Sequence, residues 1–276
     1  MIDGNTKLIA HIGYPTHSFK APLIYNPYFE EAGINAAVVP MGCHAEDYPS
    51  FLKLVFKLSN IHGALITMPH KIVTVGLLDE VSKSVAVAGA CNAVRLAQDG
   101  RLMGDMFDGE GFVRGVLRRG RAIKGKSAIM VGAGGVGSAI AASMAQAGIA
   151  ELAINDAHPP MMEELARRLR LHYPELQVTT EATDPAGYDI VVNATPLGMR
   201  DDDPLPFDVQ RISPSAFVGE VVMKQKITPF LAQVRARGCE FQIGLDMLFE
   251  QIPAYLEFFG FPPTTSDHLR ELAHTG

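Results

Sequence analysis

Two groups of residues in this chain have the types and spacing to do chemistry. The first is Ser127-Ala-Ile-Met-Val-Gly-Ala-Gly-Gly-Val-Gly137, a short apolar strand running directly into G-x-G-x-x-G. In such a loop the first glycine, Gly132, permits the tight turn out of the strand. Gly134 lets backbone approach a pyrophosphate, and Gly137 lets the next helix pack closely, with its N-terminus facing the phosphates. Gly132, Ala133, Gly134, Gly135, Val136 and Gly137 are therefore candidate dinucleotide contacts. A glycine-rich turn means little by itself, but here an Ala-rich helix over 136–147 follows and ends at Gly148, a suitable C-terminal cap. A second strand, Glu151–Asn155, then ends on Asp156. An acid about 20 positions past the glycines is where such folds bind the adenosine ribose hydroxyls, and a carboxylate there repels a 2′-phosphate. The expected cofactor is NAD, preferred over NADP.

The second group is Thr67, Lys71, Asn92 and Asp108, polar residues in turns that follow strands of the preceding region. Ligands of open α/β sheets bind beyond the carboxyl ends of strands. These side chains are thus expected to converge on a cleft that meets the nicotinamide half of a dinucleotide. Taking hydride from a secondary alcohol also requires removing the hydroxyl proton, and a partly desolvated lysine can do so if its pKa falls. Lys71 is the candidate base, with Asp108 sharing the hydroxyl and orienting it. Singly, Lys71 would pass for a surface lysine and Asp108 for a helix cap ahead of Gly109.

The elements that must position these groups alternate along the chain. Strands are expected over 7–12, 34–39 and 61–67, helices over 22–32, 48–58 and 72–77, and a hairpin of 92–96 with 101–104 around Asp99-Gly100. A helix over 109–119 leads to the glycine strand. Strands over 151–155, 176–179, 188–193, 216–222 and 240–243 then alternate with helices over 160–172 and 228–237, a doubly wound pattern. Residues 245–259 read as a helix apolar on more than one face. The expected fold is α/β with two domains. The first is an α/β substrate-binding and catalytic domain with a mixed sheet over 1–108, joined by a returning C-terminal helical segment over 245–276. The second is a doubly wound Rossmann domain over 109–244.

Composition narrows the function classes. The chain has 276 residues and a net charge of −6, with no block of Lys and Arg, which argues against nucleic acid as a partner. Its 3 cysteines, Cys43, Cys91 and Cys239, are widely spaced, so neither a disulfide framework nor a zinc site is expected and no metal is called for. No signal peptide and no apolar run of membrane-spanning length is read, so a cytoplasmic protein with no membrane partner is expected. Asp201-Asp-Asp203 reads as a solvated loop.

Five stretches spread over nearly the whole chain resemble those of the shikimate/quinate dehydrogenases. Gly63-Ala-Leu-Ile-Thr-Met-Pro-His-Lys71 resembles G-x-N-V-T-x-P-x-K, Gly89-Ala-Cys-Asn-Ala93 resembles G-A-x-N-T, and Gly104-Asp-Met-Phe-Asp108 resembles G-x-N-T-D. Asn193-Ala-Thr-Pro-Leu-Gly-Met199 resembles N-A-T-P-x-G-M, and Gly244-Leu-Asp-Met-Leu-Phe-Glu-Gln251 resembles G-x-x-M-L-x-x-Q. The resemblance implies a catalytic pair at Lys71 and Asp108, with Thr67, Asn92 and Gln251 on the substrate ring and its hydroxyls. Asn155, Asp156, Asn193, Thr195, Pro196 and Gly244 join the glycine loop as candidate cofactor contacts. A homodimer is suggested by the resemblance alone. NADP-dependent members carry N-R-T after the second dinucleotide strand, where this chain reads Asn155-Asp-Ala157, a further reason to expect NAD.

The chain departs from the family in places that bear on the substrate. The loop G-x-P-x-x-H-S-x-S-P, whose serines hold the substrate carboxylate, here reads Gly13-Tyr-Pro-Thr-His-Ser-Phe-Lys-Ala-Pro22. An ungapped match places Phe19 and Ala21 at the serines, while sliding His17-Ser18 into register keeps one. Ser18, with Thr16, or Lys20 is the candidate replacement anchor. Leu65, Ala93 and Met223 stand where the motifs have asparagine, threonine and tyrosine, and Glu220 replaces an aspartate. The expectation is an NAD-dependent dehydrogenase of a small hydroxy-carboxylate, shikimate, quinate or an amino derivative. The competing expectation is a non-catalytic NAD-binding regulatory protein of the same fold.

Overall fold

The computed structural model describes residues 2–180, 182–200 and 202–274. The chain divides into two compact units, one of Met1–Ala86, Ala90–Phe107 and Ile252–Gly276, the other of Val87–Gly89 and Asp108–Gln251.

In chain order the first half forms β1 (Lys7–Gly13), α1 (Pro22–Glu31), β2 (Ala36–Gly42), α2 (Tyr48–Val55) and β3 (Ile61–Ile66). There follow α3 (Lys71–Thr74), β4 (Glu80–Val81), α4 (Lys83–Ala88), β5 (Ala93–Leu96) and β6 (Leu102–Asp105). Among the described residues these strands make one mixed sheet in the order β2-β1-β3-β5-β6-β4. β1 pairs in parallel with β2 and β3, whereas β5 runs antiparallel to both β3 and β6. Ile9, Ala10 and Ile12 of β1 are all buried, as expected of a parallel strand covered on both faces. The hairpin of β5 and β6 turns at Gly100, whose φ of +83° favours glycine. β2 starts later than its sequence suggests and runs on through Pro40 to Gly42. It lies at the sheet edge, where proline's missing N–H is tolerated. β4 and α4 escape sequence reading because two strand residues and six helical ones leave no period to detect.

The second half forms α5 (Asp108–Arg118), β7 (Ser127–Val131), α6 (Gly135–Gln146), β8 (Glu151–Asn155), α7 (Pro159–His172) and β9 (Gln177–Thr179). β10 (Ile190–Asn193), β11 (Phe217–Glu220), α8 (Pro229–Ala236) and β12 (Glu240–Gln242) complete its alternation. α9 (Gly244–Phe258) and α10 (Ser266–Leu272) close the chain. The strands lie in the order β12-β11-β10-β7-β8-β9, every neighbouring pair parallel. The winding therefore reverses at β7, and the glycine loop leaves the sheet at this switch point. Ile129, Ala153, Val191 and Val218 pack with Phe230, Leu231 and Val234 beneath it. α5 crosses α6 so closely that a Cβ on Gly109 would run into the Ala139 carbonyl.

Candidate active site

The glycine loop has the geometry its spacing predicts. Gly132 has φ +106°, and a Cβ there would meet the Ala194 carbonyl oxygen at 2.6 Å. A Cβ on Gly137 would run into the Gly132 carbonyl, so α6 lies against the strand end only because that residue has no side chain. A Cβ on Gly134 would meet nothing within 4 Å, which leaves open space over the N-terminus of α6. Gly134 is the N-cap and offers no side chain to the first-turn N–H groups, a cradle suited to phosphate oxygens. Ser138 holds the loop from beneath by donating to the Ala133 carbonyl at 2.9 Å.

A second loop leaves the neighbouring strand β10. Asn193 is fully buried, and its Oδ1 accepts from the Thr195 hydroxyl at 2.6 Å and from the Thr195 N–H at 3.1 Å. Its Nδ2 donates to Leu197 O at 3.0 Å and to Glu220 Oε2 at 3.2 Å. The Thr195 hydroxyl accepts in turn from the Leu197 N–H, leaving Pro196 exposed at the tip. Burial pushes the Glu220 carboxyl up, against the opposing pull of its bonds to Asn193 and Thr228. Asp203, read from sequence as part of a solvated run, accepts the N–H groups of Gly198 and Arg200 and closes this loop, while Asp201 lies outside the described residues. Gly244 opens α9, where a Cβ would meet Val222 O at 2.5 Å. Further along that helix Gln251 is buried, with an Oε1 that lacks a hydrogen-bond partner among the described residues. Asp108, the first residue of α5, is also buried.

In the first unit, Thr67 and Lys71 lie on one segment after β3, and Asn92 lies on another just before β5. The Thr67 N–H donates to Ile12 O at the end of β1, and Lys71 opens α3 four residues later. The Lys71 carbonyl accepts from the Cys91 N–H at 2.8 Å, which ties α3 to the residue before Asn92. Asn92 donates its N–H to Asp105 O, accepts from Ile66 N–H through its carbonyl, and accepts from Phe107 N–H through Oδ1 at 3.0 Å. It is 1 % exposed, and its Nδ2 has no protein acceptor among the described residues. Ser18 is exposed and its hydroxyl donates back to Pro15 O, while Lys20 is half-buried just before α1.

Two histidines belong to this neighbourhood that sequence reading left out. His70, beside Lys71, is buried with its ring stacked on Tyr48 at 3.9 Å, and its Nε2 lies 2.9 Å from Cys43 O. Burial lowers its pKa. His11 is stacked on Phe19, and burial reinforced by the Lys71 charge drives its pKa down to about 3. Neither carries a local sequence signal, since each is identified only by partners distant along the chain.

A parallel doubly wound sheet with a glycine loop at its switch point, together with a mixed-sheet unit, defines a two-unit dehydrogenase-type α/β protein. Residues 11–94 match the family model described as the shikimate dehydrogenase substrate binding domain. A curated relative from Rubrobacter xylanophilus, named shikimate dehydrogenase (NADP(+)), is 33 % identical over 282 residues, covering 100 % of this chain and 98 % of the relative. Shikimate 5-dehydrogenase from Listeria monocytogenes, solved with shikimate and NAD, superposes with TM-score 0.89 at 25 % identity over 98 % of this chain and 97 % of that one. Quinate dehydrogenase from Corynebacterium glutamicum, solved with NAD, gives 0.86 at 29 % over 97 % and 98 %. The chain belongs to the shikimate dehydrogenase family and is an oxidoreductase of the shikimate/quinate dehydrogenase type.

The expected preference for NAD over NADP is corrected by these relatives, since the curated ones are named for NADP(+). The structure supplies the physical reason that Asp156 misled. Its Oδ2 accepts from the Ala133 N–H at 2.6 Å and its Oδ1 from the His158 N–H at 2.8 Å. The carboxylate thus braces the glycine loop and the start of α7, and its charge is shared between two backbone donors. An acid at that position does not by itself report on the ribose.

Proposed function

We propose that this enzyme exchanges hydride between a nicotinamide dinucleotide and a ring hydroxyl or ketone of a shikimate- or quinate-like compound. The dinucleotide is taken to be NADP(H), the form in the curated relatives' names. The open space over Gly134 and the glycines on either side of it fit a pyrophosphate, with Asn155, Asp156, Asn193, Thr195, Pro196 and Gly244 as the accompanying contacts. The bound nicotinamide would supply the hydride acceptor or donor. Lys71 takes the hydroxyl proton in oxidation and returns it in reduction, and Asp108 is its partner by the motifs both belong to. Thr67, Asn92 and Gln251 hold the ring hydroxyls.

The observation that carries this reading is the tie between Lys71 and Asn92. Residues twenty positions apart in sequence are joined through the Cys91 N–H and Lys71 O bond, and the buried Asn92 Nδ2 lacks an acceptor among the described residues. A buried amide donor without a partner is costly, and a substrate hydroxyl would satisfy it. The test is direct: incubate the purified protein with NADP(+) or NAD(+) and shikimate, quinate or aminoshikimate, and follow reduced-nicotinamide absorbance. Turnover is expected, and its loss in Lys71→Ala with cofactor binding retained. No turnover with any compound would favour a regulatory protein instead.

A further inference from the structure

The end of β1 presents a side chain that the proposed chemistry does not use. His11 is 8 % exposed, its ring lies 4.1 Å from that of Phe19 at an interplanar angle of 28°, and its Nδ1 has no hydrogen-bond partner among the described residues. Residues two apart on a strand share a face. His11 therefore projects on the same side as Gly13, where a Cβ would meet Phe19 Cζ at 3.0 Å, Met68 O at 2.8 Å and the Thr67 methyl. His11, Phe19 and Thr67 thus line one spot beyond the ends of β1 and β3. Burial, reinforced by the nearby charge of Lys71, keeps the ring neutral.

A neutral imidazole has one donor and one acceptor nitrogen. A hydroxyl can answer either, because it both donates and accepts. A carboxylate only accepts, and against a neutral imidazole and a phenyl face it would lose its hydration without gaining a cation. Lys71 is assigned to the reacting hydroxyl. On the loop, an ungapped reading puts Phe19 and Ala21 at the two hydroxyl positions of the motif, the Ser18 hydroxyl turns back to Pro15 O at 3.3 Å, and the half-buried Lys20 is its one lysine.

We propose that His11, stacked on Phe19, is a specificity-determining residue that receives an uncharged, hydroxyl-bearing substituent, so that the substrate is a neutral polyol or keto-polyol ring rather than a ring carboxylate. This rests on the reading of Lys71 and Asn92 above and names the substrate class for that site. The experiment compares shikimate with its counterpart in which the carboxylate is replaced by hydroxymethyl, each with NADP(+) and NAD(+). The wild-type kcat/KM for the hydroxymethyl compound is expected to exceed that for shikimate by roughly tenfold or more. His11→Val should lower kcat/KM for the hydroxymethyl compound by roughly tenfold, chiefly through KM. The double variant Phe19→Ser with Ala21→Ser should move the ratio toward shikimate, and it decides the matter if His11→Val fails to fold. A wild-type preference for shikimate, or a ratio unmoved in the folded variants, overturns the proposal. Turnover that survives Lys71→Ala overturns the reading of Lys71 instead, while the ratio still judges His11. No turnover of either compound overturns both.

Discussion

Replacing Asp156 with alanine tests whether this carboxylate holds the glycine loop. The substitution removes two acceptors. The bond to Ala133 N–H is 2.6 Å long and part-buried, and Ala133 is itself buried, so its N–H would be left without a partner. A charge-assisted bond lost with a buried donor stranded is worth about 1.5–3 kcal/mol. The bond to His158 N–H is exposed and closes a short turn just before α7, adding about 0.5 kcal/mol. The sum is a loss of about 2–3.5 kcal/mol, or about 4–14 °C in Tm for a unit of this size. Asp156→Asn keeps one carbonyl oxygen and should recover about half of the loss, as each bond is worth about 1 kcal/mol to a neutral acceptor. Urea unfolding followed by circular dichroism reads the difference. If Asp156→Ala melts with the wild type, the carboxylate does not brace the loop.

Other perturbations test the parts around it. Gly137→Ala would drive a methyl into the Gly132 carbonyl, and calorimetry should show dinucleotide affinity falling by roughly tenfold or more as α6 is pushed off the strand. Asn92→Ala strands the Phe107 N–H and should cost about 2 kcal/mol in unfolding free energy, with KM for substrate raised in parallel. Glu220 has a carboxyl whose folded-state pKa lies above its unfolded value of about 4.3. Its contribution to stability is therefore present below that pH and declines as pH rises toward the folded value. Glu220→Gln should gain on the wild type as pH rises above the unfolded value, because only the wild type then bears the cost of ionising a buried carboxyl; parallel stability curves would contradict the assignment.

The fold was legible wherever a signal was local. The apolar strand and spaced glycines of 127–137 announce a turn that only glycine can make, and the structure places it at the sheet's switch point. The β5–β6 hairpin was equally visible through Asp99-Gly100. What stayed hidden depends on partners far along the chain. Asp156 looks like a ribose ligand until its two backbone donors are seen, and Asp203 looks like one acid in a solvated run until Gly198 and Arg200 are found on it. His11 sits inside an apolar strand with nothing nearby to mark it, because the Phe19 ring and the Lys71 charge arrive from two other segments. Backbone geometry is therefore readable from local motifs, whereas a side chain whose surroundings are set by tertiary neighbours is not.

The central claim, that Lys71 moves the proton while hydride passes to or from the nicotinamide, is tested most directly by single-turnover kinetics of wild type and Lys71→Ala on a compound the wild type turns over. The rate in the variant is expected to be lower by about 100-fold or more, the usual size of a general-base effect, with cofactor affinity unchanged. A variant that matches the wild-type rate would contradict it.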